Sequence, residues 1–401
     1  MTIDAAMEAL RGRRILVTGG GFIGGRLAQR LAFDGETEVL VMVRQPAATQ
    51  ALIGANCHTI VGDVTSRSDL FTATEGRDVV FHCAFGTVGS TRRRRFVNRE
   101  GTRRVLEAAA SAGVRRVVHL STFMVYGRTV QGDINEETPR RPFGDPYADS
   151  KLEAEQIALD MASAGGAPAV VLQPVNVYGP HGKTWIVDVL RRMRTGRIPL
   201  INGGNGACNA VYVDDLVAAM ILAATTEGVV GRAFLISSGE RATWRDFYAY
   251  FEALLGTTRT EERTEAEALA DWHRALSQQP TLRTVLAEAL SRRQIELSRL
   301  LDAREVRSVR ASAGEVLPTQ LHDWVGRRLP RVEEAPLVPT MVPDDQATLH
   351  KFTPAEIAFF ASRAEARIDL ARRLLAYDPK FDLKAGMAET AKWAHDVGLT
   401  S

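Results

Sequence analysis

The chain has 401 residues, enough for one large domain or two ordinary ones, and 45% hydrophobic with 24% charged residues is the composition of a globular protein with an ample core. A formal net charge of +2 gives no electrostatic reason to expect nucleic acid or a membrane surface as partner. No apolar run approaches membrane-spanning length and the N-terminus lacks the apolar core of a signal peptide. Cys57, Cys83 and Cys208 lie too far apart for a metal or redox motif, so reduced thiols and a cytoplasmic location are expected.

In chain order, the first 175 residues alternate short β-branched runs with longer amphipathic segments. The runs "RRILVTG", "EVLVMVR", "CHTIVGD", "DVVFHCA", "RRVVHLS" and "PAVVLQP" are expected as buried strands. Helices such as "FIGGRLAQRLAFDG" and "NREGTRRVLEAAASAG" fall between them, the second stopped at Gly113. This alternation implies a parallel sheet covered on both faces. Right-handed crossovers make it doubly wound, with ligand at the carboxyl ends of its strands. From Asn176 the pattern loosens into a smaller lobe, where "VYVDDLVAAMILAA" reads as a strand or turn entering a helix. Residues 258–350 are charged, helix-prone and then proline-rich, and read as an insertion; 351–401 returns to amphipathic helix.

The turn after the first strand spaces Gly19, Gly21 and Gly24 as G-x-G-x-x-G before a helix. The first glycine permits a tight turn, the second lets backbone approach a pyrophosphate, and the third allows close helix–strand packing. Free N–H groups at the helix start then face the phosphates. The second strand ends Val43-Arg44-Gln45, without the carboxylate that grips a ribose 2′-hydroxyl. Arg44 is suited to pair a 2′-phosphate, which favours NADP over NAD. Asp63, ending the third strand, is placed to accept from the adenine amino group.

In "DPYADSKLEAEQ", Asp145 suits an N-cap and Pro146 the first helical position, while Glu153 and Glu155 extend an exposed helix. Tyr147 and Lys151 stand four apart and share a face, and of seven tyrosines only Tyr147 has Lys at that spacing. The choice of Lys is informative in a chain with six lysines against 44 arginines, because a compact ammonium fits beside both a phenol and ribose hydroxyls. A neighbouring ammonium and a positively charged nicotinamide both favour phenolate, so Tyr147 is expected to exchange a proton with a substrate oxygen. Ser121 and Thr122 follow the preceding strand and offer a hydroxyl to hold that oxygen.

Together, "ILVTGGGFIG", "VGDVTS", "VVFHCA", "VNREGTRRVLEAA", "HLSTFMVYG", "PYADSK", "QPVNVYGP" and "VYVDDLVAA" resemble the extended short-chain dehydrogenase/reductase superfamily, in its nucleotide-sugar epimerase/dehydratase branch. The resemblance implies an α/β fold: a Rossmann-type doubly wound parallel sheet with a smaller α/β substrate lobe and a helical insertion. It divides the chain into an NAD(P)-binding domain at 1–175, a substrate lobe at 176–257, the insertion at 258–350 and a closing helical part of the substrate lobe at 351–401. It implies a Thr122–Tyr147–Lys151 catalytic set, with Asn98 supporting the lysine through a water or backbone contact. Cofactor contacts are expected from Gly19, Gly21, Phe22, Ile23, Gly24, Arg44, Asp63, Val64, Ala84, Asn98, Tyr147, Lys151 and Val175. Substrate contacts are expected from Phe123, Asn176, His181 and Asn209, with a homodimer formed through helices around 95–112 and 147–163.

Departures from the family pattern limit what is inherited. The glycine turn is one residue shorter than the usual form. Phe123 and Met124 stand where dehydratases carry acidic residues, so elimination of water by that route is not expected. Cys208-Asn209-Ala210 replaces an arginine that often binds diphosphate, and Gln173 replaces another. Arg92-Arg93-Arg94-Arg95 reads as a solvated helix start, and Asp214-Asp215 lacks further ligands for a metal. The leading expectation is hydride transfer at a secondary alcohol or ketone of a sugar nucleotide or related polar metabolite, by epimerisation or reduction. The alternatives are an NADPH-dependent ketoreductase for a less polar metabolite and a cofactor-sensing protein without turnover.

Overall fold

The computed structural model describes residues 1–33, 35–45, 56–128, 132–279 and 339–400. The expected runs form β1 (Arg14–Thr18), β2 (Glu38–Val43), β3 (His58–Val61), β4 (Val79–His82), β5 (Arg116–Leu120) and β6 (Ala169–Pro174). Shorter strands follow: β7 (Asn176–Tyr178), β8 (Gly196–Ile201), β9 (Ala210–Tyr212), β10 (Ala233–Ile236), β11 (Thr260–Arg263) and β12 (Thr348–Leu349). The first half of the chain supplies helices α1 (Ile3–Leu10), α2 (Phe22–Leu31), α3 (Arg67–Thr74), α4 (Thr91–Phe96), α5 (Thr102–Ser111) and α6 (Pro146–Ser163). The second half supplies α7 (Asp188–Thr195), α8 (Val213–Thr225), α9 (Trp244–Leu255), α10 (Glu265–Ser277), α11 (Pro354–Ala361), α12 (Asp369–Leu375) and α13 (Leu383–Asp396).

Seven strands pair in one parallel sheet in the order β10-β6-β5-β4-β1-β2-β3. Strands β5 and β6 are buried along their whole length, as a sheet covered on both faces requires. Ile15, Val17, Val41, Phe81 and Val118 pack on one face with Leu27 of α2 and Leu216 and Met220 of α8. Leu16, Val80, Val117 and Val171 pack on the other with Leu70 of α3, Leu106 of α5 and Ala158 of α6. Each such Val or Leu contributes about 1.5–3 kcal/mol relative to exposure.

The register sets Thr18 beside His82, and His82 beside His119, so β1, β4 and β5 end at one level. The segments that follow them lie side by side at the carboxyl edge of the sheet. The seventh strand and the α8 cover come from beyond residue 175, so the sheet draws on the stretch read as a separate lobe. The four-residue run "AFLI" is too short to announce itself as a strand by periodicity.

Strand β8 carries β11 and β12 in parallel, and β7 pairs with β9. Trp244, Phe247, Phe251, Phe352 and Phe360 centre a second core beneath them. The described parts of 258–350 are therefore built into this lobe. Arg259, 1% exposed, ties the returning chain to it by donating to the Val342 carbonyl at 2.6 Å. The helix expected over 281–307 and residues 328–338 of the proline-rich run lie outside the described residues. No helix among the described residues is long and apolar enough to cross a membrane.

Candidate active site

A cavity of about 1310 Å³ runs along the carboxyl ends of the strands, from Arg44 and Asp63 past the glycine turn to Tyr147 and on to Trp185, Phe359 and Phe360. The three glycines of the turn meet different demands. Gly19 has φ +87°, and a Cβ there would lie 2.9 Å from the Ala84 backbone. A Cβ on Gly24 would lie 1.9 Å from the Gly19 carbonyl oxygen, whereas one on Gly21 would meet nothing within 4 Å. Gly21 caps α2 without any side-chain hydrogen bond, leaving the first-turn N–H groups to the cavity. An anionic ligand fits this cradle, and the shortened turn retains it.

Near the far end of the turn, Arg44, Asp63 and Val64 line the same cavity. Burial pushes the Asp63 carboxyl up, but hydrogen bonds from Thr65 and the charges of Arg93 and Arg44 hold it below the usual range. Within the arginine run, Arg93 pairs with Asp63 at 3.5 Å and Arg95 with Glu153. Asp214 is held by Arg26, and Asp215 accepts from the backbone of Lys380 and Phe381. Among the described residues no group of three or more His, Cys, Asp or Glu is arranged to hold a metal ion.

Helix α6 begins as its sequence predicts: Asp145 accepts from the Tyr147 and Ala148 N–H groups at 3.0 and 2.9 Å, and Pro146 fills the first turn. Tyr147 and Lys151 then both line the cavity, with Thr122 at its wall. The Thr122 hydroxyl faces the Tyr147 phenol and favours its ionised form. Tyr147 keeps 42% of its surface accessible, yet burial raises its pKa and Asp145 raises it further, outweighing Thr122. The expected lowering draws on Lys151 together with a bound nicotinamide, and burial acts against it in the chain alone. The lysine Nζ donates to the Leu120 carbonyl at 2.5 Å, and burial pushes it down to about 8, with Glu155 the chief opposing influence.

Asn98 does not contact the lysine. It accepts from the Gly86 N–H at 2.7 Å and donates to Ser150 Oγ at 2.8 Å, holding the helix beside Lys151. Phe22, Ile23, Ala84, Phe123, Val175 and Asn176 line the cavity as expected sites would. His181 and Asn209 do not. His181 lies against Trp393, its ring 5.0 Å away, and Asn209 is engaged with Ala364 and Ala366. Both adopt positive φ.

Glu155, read in the sequence as exposed, is 1% exposed. It accepts from Ser121 Oγ at 2.6 Å, Gln173 Nε2 at 2.8 Å and Arg140 Nη1 at 2.5 Å. Gln173 also accepts from the Tyr126 hydroxyl at 2.7 Å and does not line the cavity. The sequence signal was available: Glu155 follows Tyr147 and Lys151 at four-residue steps, the spacing of one helix face. The aromatic wall of Trp185, Phe359 and Phe360 carried no comparable signal, because its members come from distant segments.

The model of the NAD dependent epimerase/dehydratase family matches residues 15–237. The chain is similar, at 32% identity over 240 residues (58% of this chain, 71% of the relative), to the 4-hydroxy-2-methyl-3-oxo-4-farnesyl-3,4-dihydroquinoline-1-oxide ketoreductase of Stigmatella aurantiaca. It is similar, at 31% identity over 260 residues (62% of this chain, 78% of the relative), to the 2-alkyl-3-oxoalkanoate reductase of Stenotrophomonas maltophilia. The solved structure of an epimerase from Methanothermobacter thermautotrophicus superposes with a TM-score of 0.67 at 19% identity, covering 98% of this chain and 95% of its own, a likeness of fold.

Proposed function

The chain belongs to the NAD-dependent epimerase/dehydratase family and is an NAD(P)-dependent oxidoreductase, and we propose that it reduces a ketone to a secondary alcohol on a largely apolar metabolite. The observation that carries this reading is the wall beyond Tyr147, made of Phe123, Met124, Trp185, Tyr248, Phe359 and Phe360. The cations along that stretch are each answered by a carboxylate: Arg128 by Asp145, Lys183 by Asp188 and Arg192 by Glu356. A diphosphate would have to displace those partners, whereas an alkyl or ring system would only displace water. The names of the two similar reductases carry a farnesyl and an alkyl group, which supports the same substrate class over a sugar nucleotide.

When bound along the glycine turn, the nicotinamide cofactor supplies the hydride for this reduction. Thr122 and Tyr147 hold the carbonyl oxygen between their hydroxyls, and a phenol raised above its ordinary value near 10 stands protonated at neutral pH, ready to donate. Lys151 lines the same cavity one helical turn on, and its charged form favours the phenolate left behind. Purified protein should consume NADPH stoichiometrically with a hydrophobic 3-oxo ester and leave nucleoside-diphosphate sugars unchanged. Epimerisation of those sugars without net NADPH consumption would overturn the proposal.

Two expectations follow from the cavity's ends. Phe359→Ser should raise KM for the apolar ketone about tenfold or more with little change in kcat, since one aromatic contact surface is lost in ground and transition state alike. We assign Arg44 to the 2′-phosphate of NADP. Arg44→Ser should weaken NADPH binding about ten- to hundredfold, the worth of a charge-assisted hydrogen bond, and leave NADH affinity unchanged in a fluorescence titration.

A further inference from the structure

We propose that Glu155 is a positioning residue that, from inside the core, locks the strand end bearing Thr122 to the helix turn bearing Lys151 and sustains the charge of that lysine. The inference rests on the role given to Lys151 under the proposed function. Its geometry is local and dense. Ser121, which donates to Glu155, sits between Leu120, whose carbonyl receives the Lys151 Nζ, and Thr122, whose hydroxyl meets Tyr147. Gln173 brings in β6, and through it Tyr126 at the end of the short turn that starts at Phe123. Arg140 brings in the segment that leads to α6. One carboxylate thus joins β5, β6, α6 and the approach to the catalytic helix.

A buried carboxylate is costly unless paired and hydrogen-bonded, and an apolar side chain of similar size often stabilises a fold as well or better. The charge at position 155 therefore calls for a reason beyond packing. The groups that face Lys151 supply it. Cys83 at the end of β4 is pushed up to about 12 by burial, and His82 on β4 is pushed down to about 3. Burial also holds His119 on β5 well below its ordinary value, and Tyr147 is raised. All four are uncharged at neutral pH, which leaves Glu155 as the anion among the groups facing the ammonium. Burial drives Lys151 toward the neutral amine, and Glu155 is the chief opposing influence. Arg140, 27% exposed at its side chain, shares the charge of Glu155 and so moderates its effect.

Two substitutions should move Lys151 in opposite directions. Glu155→Gln keeps the shape but removes the anion, so the lysine should titrate about one pH unit lower than in the native chain. Glu155→Asp should restore part of that shift. Arg140→Gln removes the competing cation and should move the titration upward. The full chain, without cofactor or substrate, is labelled with trace acetic anhydride from neutral to alkaline pH, and acetylation of the Lys151 peptide is quantified by mass spectrometry. Lys151 lines the cavity and is reachable by so small a reagent. An unchanged midpoint in folded Glu155→Gln protein overturns the proposal. If that variant fails to fold, Arg140→Gln decides: a raised midpoint supports the coupling and an unchanged or lowered one ends it. Turnover plays no part in the readout, so a wrong substrate class would leave this result standing, and a failed labelling result would leave the reductase reading standing.

Discussion

Tyr147→Phe should lower kcat by about 10²–10⁴-fold, the range supplied by a positioned general acid, while NADPH affinity stays within about twofold of native. The substitution removes one oxygen and keeps the ring, including its edge-on contact with Phe85 at 6.2 Å between centroids. The helix start does not depend on the phenol, because Asp145 caps it through the backbone. Steady-state NADPH oxidation with the hydrophobic ketone measures the first quantity and quenching of NADPH fluorescence the second. Native-like turnover in the variant would remove Tyr147 from the chemistry.

The native pH profile carries a related expectation. Lys151 has a pKa depressed to about 8, and its charged form lies below that value. Turnover should therefore decline as pH rises through about 8, well before an unperturbed lysine near 10.4 would titrate. In Lys151→Arg, whose charge persists at high pH, that decline should be absent even though overall activity falls with the altered fit.

What was legible in the sequence divides along range of interaction. The six strands, the glycine turn and the Asp145-Pro146 helix start are local, so hydrophobic run, φ demand and capping chemistry within a few residues specify them. Tyr147 and Lys151 were legible for the same reason, being one helical turn apart. Glu155 has equal spacing yet was misread, because exposure depends on what packs against the helix, and Ser121, Gln173 and Arg140 come from three other segments. Sequence spacing brought the Lys151 ammonium to the helix face of Tyr147, but only the fold shows it donating to the Leu120 carbonyl. His181 and Asn209 lay in loops of the right neighbourhood, and partners from the C-terminal segment, Trp393 for one and the backbone of Ala364 and Ala366 for the other, hold them elsewhere.

Gly24→Ala should cost about 1–3 kcal/mol of stability and weaken NADPH binding by about a hundredfold or more, because the added methyl would overlap the Gly19 carbonyl oxygen at 1.9 Å. That oxygen belongs to backbone, so relief comes only by moving α2 away from β1 or by rotating the turn. Either movement carries off the N–H groups that face the phosphates. Gly21→Ala makes the contrast: its Cβ meets no protein atom within 4 Å and its φ of −76° suits any residue, so the apo protein should melt as the native one does. The methyl enters the space through which a pyrophosphate would pass, and NADPH affinity should fall about tenfold or more by steric exclusion. Thermal denaturation with and without NADPH separates the two variants, since the ligand stabilises the fold with the logarithm of its concentration over Kd. Gly21→Ala protein that binds NADPH as tightly as native would mean that the phosphates do not cross the turn at that residue, even though its helix start faces an open cavity.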